Sequence, residues 1–190
     1  MKKSVLFLAV LCLSLSGCQN KLEGKEIEVK DISEYDPNDK SEDKVAYAEF
    51  GETAPDIKLV KFDETEASLS DYLGKPTIMV FWATWCGYCK IELPALEMLK
   101  ENYGDKINII AVNCGDTAED AKEFFEDKGY SFEAAMASFE DSLLYGADSI
   151  PVTVIMDKDG VIKFFEKGSA DAETMFRDYF SPVFDELLEE

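Results

Sequence analysis

The stretch Thr77-Ile78-Met79-Val80-Phe81-Trp82-Ala83-Thr84-Trp85-Cys86-Gly87-Tyr88-Cys89-Lys90 decides the reading of this chain. Residues 77–82 are a continuous apolar run, the pattern of a central strand covered on both faces. Gly87 to Tyr103 then shows helical periodicity, with Ile91, Leu93, Leu96, Met98 and Leu99 as the apolar face and Gly104 behind it. Pro94 falls inside this helix and predicts a kink. The two cysteines therefore stand where strand becomes helix. Cys86 lies at the helix N-terminus, beside unpaired N–H groups and the positive end of the macrodipole. Both favour the thiolate, which is the nucleophile. Cys89 follows one turn later on the same face, placed to attack a mixed disulfide formed at Cys86. Gly87 leaves room for a partner to approach.

Composition narrows the alternatives. The chain has 190 residues, 40 acidic against 19 basic, a formal charge of −21, five cysteines and no histidine. The acidic excess argues against nucleic acid, whose phosphates need clustered Lys and Arg. Without His, Cys₂His₂ zinc sites and Ser-His-Asp or Cys-His catalysis are excluded. Cys86 and Cys89 would form half of a zinc site, and Cys114 alone cannot complete it, so no metal is expected. Residue 90 is Lys, so the CxxCH of c-type haem attachment is absent. A purely structural disulfide across this spacing would close too short a loop to stabilise much.

Working outward, Ile57 to Phe62 reads as an N-terminal strand, 63–66 as a turn, and Ser68 to Leu73 as a short helix stopped by Gly74. Ile107 to Asn113 reads as a second buried strand. Thr117 opens a helix that runs to Lys128 and ends at Gly129. A short helix is expected over Glu140 to Tyr145. Val152 to Met156 and Val161 to Phe165 flank Asp157-Lys158-Asp159-Gly160, a hairpin signal. That DxDG lacks the later ligands of a calcium loop. Ala172 to Leu188 is a final amphipathic helix, with Pro182 as a kink or break. Strands joined through helices should be parallel. The expected architecture is α/β: a mixed central sheet with helices on both faces and an N-terminal strand extension.

The N-terminus reads as an address. Met1-Lys2-Lys3 precedes an apolar run from Val5 to Leu15, too short to span a roughly 30 Å hydrocarbon core. The run ends in Leu15-Ser16-Gly17-Cys18, which resembles the lipobox of bacterial lipoproteins. Residues 1–17 would be the signal peptide and Cys18 the lipidated residue. Cys12 would be discarded with the leader. Residues 18–49 carry ten acidic and five basic residues and few large apolar groups, as in a tether. A chain of that length spans roughly 30 Å root-mean-square. A surface this acidic is repelled by anionic lipid, so acyl chains would have to hold it at the membrane.

Phe81 to Lys90 resembles the active-site segment of thioredoxin-fold proteins, and more narrowly the extracytoplasmic ResA/TlpA group. Ala54-Pro55-Asp56, Gly74-Lys75-Pro76 and Ile150-Pro151-Val152-Thr153 support the resemblance, which covers about residues 50–180 of a domain at 50–190. It implies a cis Pro151 facing the cysteines, with Ile150 and its neighbours pairing to an extended substrate. Trp85, Gly87 and Tyr88 would complete the docking surface, while Trp82 belongs to the core. Glu92 matches a family glutamate three residues after the second cysteine, implying a proton-handling role. Many thioredoxins carry a buried aspartate where this chain has Val80, which places more weight on Glu92.

The resemblance implies a thiol-disulfide oxidoreductase with no cofactor beyond the Cys86–Cys89 pair. It further implies reduction of exported proteins, such as apocytochrome c or a methionine sulfoxide reductase, with electrons from an integral-membrane thiol carrier. The AhpC/TSA-like branch of the fold offers thiol peroxidase as an alternative. It expects PxxxTxxC at the cysteine, whereas Met79 replaces the proline and Thr84 is one residue out of place. A non-enzymatic surface lipoprotein with a structural disulfide is the other alternative. Cys114 ends the second strand and so emerges at the same sheet edge as Cys86, a position that would allow a third redox cysteine; the expectation is a buried or merely tolerated free thiol.

Overall fold

The computed structural model describes residues 47–189. The leader expected at 1–17, Cys18 and the tether up to residue 46 lie outside the described residues. Within them, no helix is long and apolar enough to cross a membrane.

The element that places the site is β3 (Thr77–Trp82), buried at every position, as its uninterrupted apolar run requires. It leads directly into α1 (Gly87–Tyr103). β4 (Asn108–Asn113) returns parallel to β3, in register from Thr77 opposite Asn108 to Trp82 opposite Asn113. α2 (Ala118–Lys128) follows, its first turn capped by the Thr117 hydroxyl and its end closed by left-handed Gly129. β5 (Glu133–Met136) then pairs parallel with β4.

Five further strands and α-helices follow β5 among the described residues. They are α3 (Phe139–Leu143), β6 (Val152–Met156), β7 (Ile162–Lys167), α4 (Ala172–Thr174) and α5 (Ser181–Glu189). Before β3 stand β1 (Lys58–Lys61) and β2 (Glu66–Ser68). Among the described residues, seven strands form one sheet in the order β2-β1-β5-β4-β3-β6-β7.

The sheet is mixed, as expected, with three differences in detail. β5 was not anticipated, because Glu-Ala-Ala-Met lacks β-branched or aromatic residues. Ala134 and Ala135 are buried there between β4 and β1, so tertiary pairing overrides propensity. The crossover from α2 therefore ends in β5, and β6 runs antiparallel to β3 instead of parallel. Upstream, Ser68 belongs to β2, and the expected helix contracts to a 3₁₀ turn over Leu69–Tyr72.

Two helices also depart from expectation. α1 continues through Pro94, but Ile91 points outward and is 46% exposed. Its buried face is Cys89, Glu92, Leu93, Leu96, Leu99 and Tyr103. The C-terminal helix does not break at Pro182. It widens into a π-helical turn over Met175–Phe180, and Pro182 falls in the first turn of α5, where a missing N–H costs least.

Alternation along β3 divides the core. Ile78, Val80 and Trp82 join α1, α2 and the C-terminal helices on one face. Met79 and Phe81 join Leu59, Leu69, Tyr145 and Val152 on the other.

Candidate active site

Cys86 is the N-cap residue of α1 and has extended backbone, so the chain turns sharply from β3 into the helix. Its sulfur accepts from the Cys89 N–H at 3.1 Å. The two cysteines are joined in a disulfide. Their surroundings differ. Cys86 retains 6% exposure, while Cys89 has none and lies under α1 against the core. Only the first sulfur can be met from solvent without moving the helix.

The Ile150–Pro151 peptide is cis and approaches from the start of β6. The Ile150 carbonyl oxygen lies 3.6 Å from the Cys86 sulfur. Pro151 in turn accepts from the Gly168 N–H, which ties the β6 start to the end of β7. Trp85 and Tyr88 flank the disulfide and are 67% and 66% exposed. Ile91 stands one turn after Tyr88 on α1 and is exposed as well. Such exposure beside a concave site marks a contact surface. Gly87 is exposed, and nothing lies within 4 Å of where a side chain would begin.

Two cavities open beside this surface. One, of about 440 Å³, is walled by Tyr88, the segment 166–170, Met175 and Tyr179. The other, of about 310 Å³, is lined by Trp85, Cys114, Gly115, Phe139 and residues 147–150. Cys114 is a free thiol whose pKa is raised by burial, with Asp116 acting in the same direction.

A polar net that sequence reasoning did not single out holds the loop before Cys86. Asp116 accepts from the Thr84 N–H at 2.6 Å and the Thr84 hydroxyl at 2.7 Å. The Asn113 amide donates to Asp116, while its carbonyl accepts from the Gly115 and Asp116 N–H groups. Asn113 is fully buried at the end of β4. The signal was Asn-Cys-Gly-Asp directly after an apolar strand, a turn-forming cluster. Gly115 has a steric reason: a side chain there would begin 2.9 Å from the Ala83 Cβ and 3.0 Å from the Trp85 ring. The Trp85 indole N–H donates to the Gly115 carbonyl at 3.2 Å. Gly115 thus lets the Trp85 ring pack directly against the backbone at that position.

Glu92 is fully buried, three residues after Cys89 on α1. Its Oε1 accepts the Thr153 hydroxyl, and its Oε2 has no partner. Burial pushes the carboxyl up to about 7, with the Glu166 charge adding to it and the hydroxyls of Thr153 and Ser169 opposing it. A carboxyl poised there can give or take a proton near neutrality. The structure thus brings Cys86, Trp85, Tyr88, Ile150 and Pro151 together at the surface, with Cys89 and Glu92 buried on the inner face of α1.

A thioredoxin fold with a Cys-x-x-Cys disulfide at this junction defines a thiol-disulfide oxidoreductase of the ResA/thioredoxin-like type. The chain belongs to the AhpC/TSA family, which it matches over residues 50–165. It is 33% identical over 128 residues to the thioredoxin-like protein YneN of Bacillus subtilis, covering 66% of this chain and 75% of that one. It is 34% identical over 126 residues to the thiol-disulfide oxidoreductase ResA of Geobacillus thermodenitrificans, covering 65% of this chain and 72% of that one. The fold is shared with a putative thiol:disulfide interchange protein DsbE from Chlorobium tepidum. The TM-score is 0.65 at 24% identity, over 74% of this chain and 98% of that one.

Proposed function

We propose that this chain is a lipid-anchored, extracytoplasmic reductase of disulfides in exported proteins. The observation that carries the reading is the asymmetry of the two sulfurs. Cys86 is reachable among exposed apolar groups and against the Ile150 carbonyl, while Cys89 is sealed below it.

The reaction follows from that arrangement. In the dithiol form, the Cys86 thiolate attacks one sulfur of a substrate disulfide. The substrate S–S bond breaks, a mixed disulfide forms at Cys86, and the first substrate thiolate leaves. Cys89 loses its proton to Glu92 and attacks the Cys86 sulfur. The second substrate thiolate leaves, and the Cys86–Cys89 disulfide closes. Two electrons have passed to the substrate through sulfur alone, so no cofactor is required. An integral-membrane thiol donor would return the pair to the dithiol state.

Trp85, Gly87, Tyr88, Ile150 and Pro151 form the docking surface, along which an extended substrate segment pairs with the backbone of Ile150. The substrates fit the class of exported proteins with accessible disulfides, apocytochrome c or a methionine sulfoxide reductase among them. The lipobox-like run 15–18 supports anchoring through Cys18. ResA of Geobacillus thermodenitrificans is by name a thiol-disulfide oxidoreductase, which supports the same chemistry.

The peroxidase alternative finds less support. The threonine nearest the nucleophile, Thr84, donates its hydroxyl to Asp116 and is committed to holding the loop.

The test is trapping in intact cells. Cys89→Ser should accumulate covalent complexes with exported proteins that dissolve in reductant, and Cys86→Ser should accumulate none. Equal yields from both variants, or none from Cys89→Ser, would contradict the reading. Cys18→Ser should move the protein from the membrane to the soluble fraction, and retention in the membrane would remove the anchor.

A further inference from the structure

β6 is buried along its whole length, and Thr153 is its only polar residue. A valine would fill the same volume without bringing a hydroxyl into the core. That hydroxyl hydrogen needs an acceptor, and Glu92 Oε1 is the one it has. Thr153 and Val80 are direct partners across the antiparallel β3–β6 pair. Directly opposed residues project to the same face of a sheet. Val80 lies in the core that α1 packs against, so Thr153 points at α1 beside it. β3 presents only an alkyl group at this level, and β6 supplies the hydroxyl.

We propose that Thr153 is a positioning residue for the reaction: its hydroxyl anchors Glu92 Oε1 and leaves Oε2 as the atom that takes and releases the proton. This rests on the proton-handling role assigned to Glu92 above. The logic is one of donors. Thr153 has one hydrogen to give, and it gives it to Oε1. The proton of the neutral acid therefore resides on Oε2, which has no other partner. When the acid ionises, the same hydrogen bond stabilises the carboxylate, so Thr153 also sets where Glu92 titrates.

The other groups near Glu92 cannot replace it. The Ser169 hydroxyl, from the connection after β7, also opposes the rise of the Glu92 pKa, but its hydrogen goes to the Ala170 carbonyl at 2.8 Å. Glu166 on β7 acts in the opposite direction. On the C-terminal helices, Arg177 is engaged by Asp178 and Glu173, and Asp171 and Glu173 are exposed. Lys90 on α1 stands over the Phe124 ring, 5.5 Å from its centre.

The experiment compares wild type, Thr153→Val and Thr153→Ser as full chains. Two quantities are followed against pH: the carbon-13 shift of the Glu92 carboxyl, and the alkylation rate of the Cys86 and Cys89 thiols. Loss of a hydrogen bond to a charged group should raise the Glu92 midpoint in Thr153→Val by roughly one to two pH units above about 7. The thiol profile should move in the same direction. Thr153→Ser, which keeps the hydroxyl and loses only the methyl, should restore both.

An unchanged Glu92 midpoint in Thr153→Val would overturn the proposal and leave the role of Glu92 to be judged by Glu92→Gln. A midpoint that moves equally in Thr153→Ser would also overturn it, since packing would then be the cause. A midpoint that moves while the thiol profile stays fixed would overturn it together with the proton-handling role of Glu92.

Discussion

The two ends of the sheet carry cavities of similar size and opposite character. One of the two at the α1 N-terminus is about 440 Å³, and one at the far end is about 550 Å³. At the far end the polar groups answer one another. Lys75 donates to the Asp105 carbonyl, Lys100 pairs with Asp105 at 3.0 Å, and Lys61 pairs with Glu133 at 3.0 Å. The Asn108 amide donates to the Tyr72 carbonyl and the Thr77 hydroxyl, and the Tyr72 hydroxyl donates to Glu133. Nothing in that set is left poised to react.

At the α1 end, a carboxyl oxygen is buried without a partner, three large apolar side chains face solvent, and one sulfur is reachable. What distinguishes the active end is a buried ionisable group with an unpaired oxygen beside an exposed apolar surface, rather than volume. Active sites hold groups that a structure built only for stability would pair or remove.

The largest effect should come from removing the unsatisfied group. Glu92 has its carboxyl raised from 4.5 to about 7 in the folded state. Below the unfolded value it is neutral in both states and adds no pH dependence. As pH rises from about 4.5 to about 7 the unfolded chain ionises first. The folded protein then loses roughly 3 kcal/mol, after which the loss levels off. Glu92→Gln should abolish this slope, measured as the difference between variant and wild-type stability by denaturant unfolding at pH 4.5 and pH 7.5. A difference that does not change with pH would remove the unsatisfied carboxyl from the comparison.

A smaller effect is expected at the surface. Gly115→Ala places a methyl against Ala83 and Trp85. Overpacking of this kind typically costs about 1–3 kcal/mol, less where a side chain can swing away, as exposed Trp85 can. Its displacement should raise KM for a protein disulfide several-fold with little change in kcat. Equal falls in kcat would place Trp85 in the chemistry instead of the docking.

The smallest effect belongs to the far end. Lys100→Ala breaks an exposed pair and should leave disulfide reduction within about twofold of wild type, because such pairs contribute little and this one is remote from sulfur. A tenfold loss would show that the two ends are coupled.

The sequence exposed the active end far better than the frame around it. β3 and α1 have the bounds that the apolar run and the helical periodicity predict, because a doubly covered strand and a long helix both leave strong patterns. The strand-to-helix cysteine pair is legible for the same reason. β5 was hidden because its alanines answer to the spacing of its neighbours, not to strand propensity. The direction of β6 followed from that omission. Ile91 read as core because periodicity cannot tell a helix face turned to the sheet from one turned to a partner. Glu92 was legible only through resemblance. Its anchor, Thr153, lies sixty-one residues away and becomes visible only once the β3–β6 register is known. The Asn113–Asp116 net was legible only as a turn-forming cluster, because its partner Thr84 lies across the sheet in the loop after β3.

The central claim is that the two sulfurs are unequal, with Cys86 meeting the partner and Cys89 held in reserve. Reduced full-length protein treated with substoichiometric iodoacetamide at pH 7, followed by peptide mass mapping, measures that inequality directly. Cys86 should be alkylated at least about tenfold faster than Cys89, given a helix N-terminal, reachable thiol against a sealed one. Equal labelling, or faster labelling of Cys89, would contradict the account.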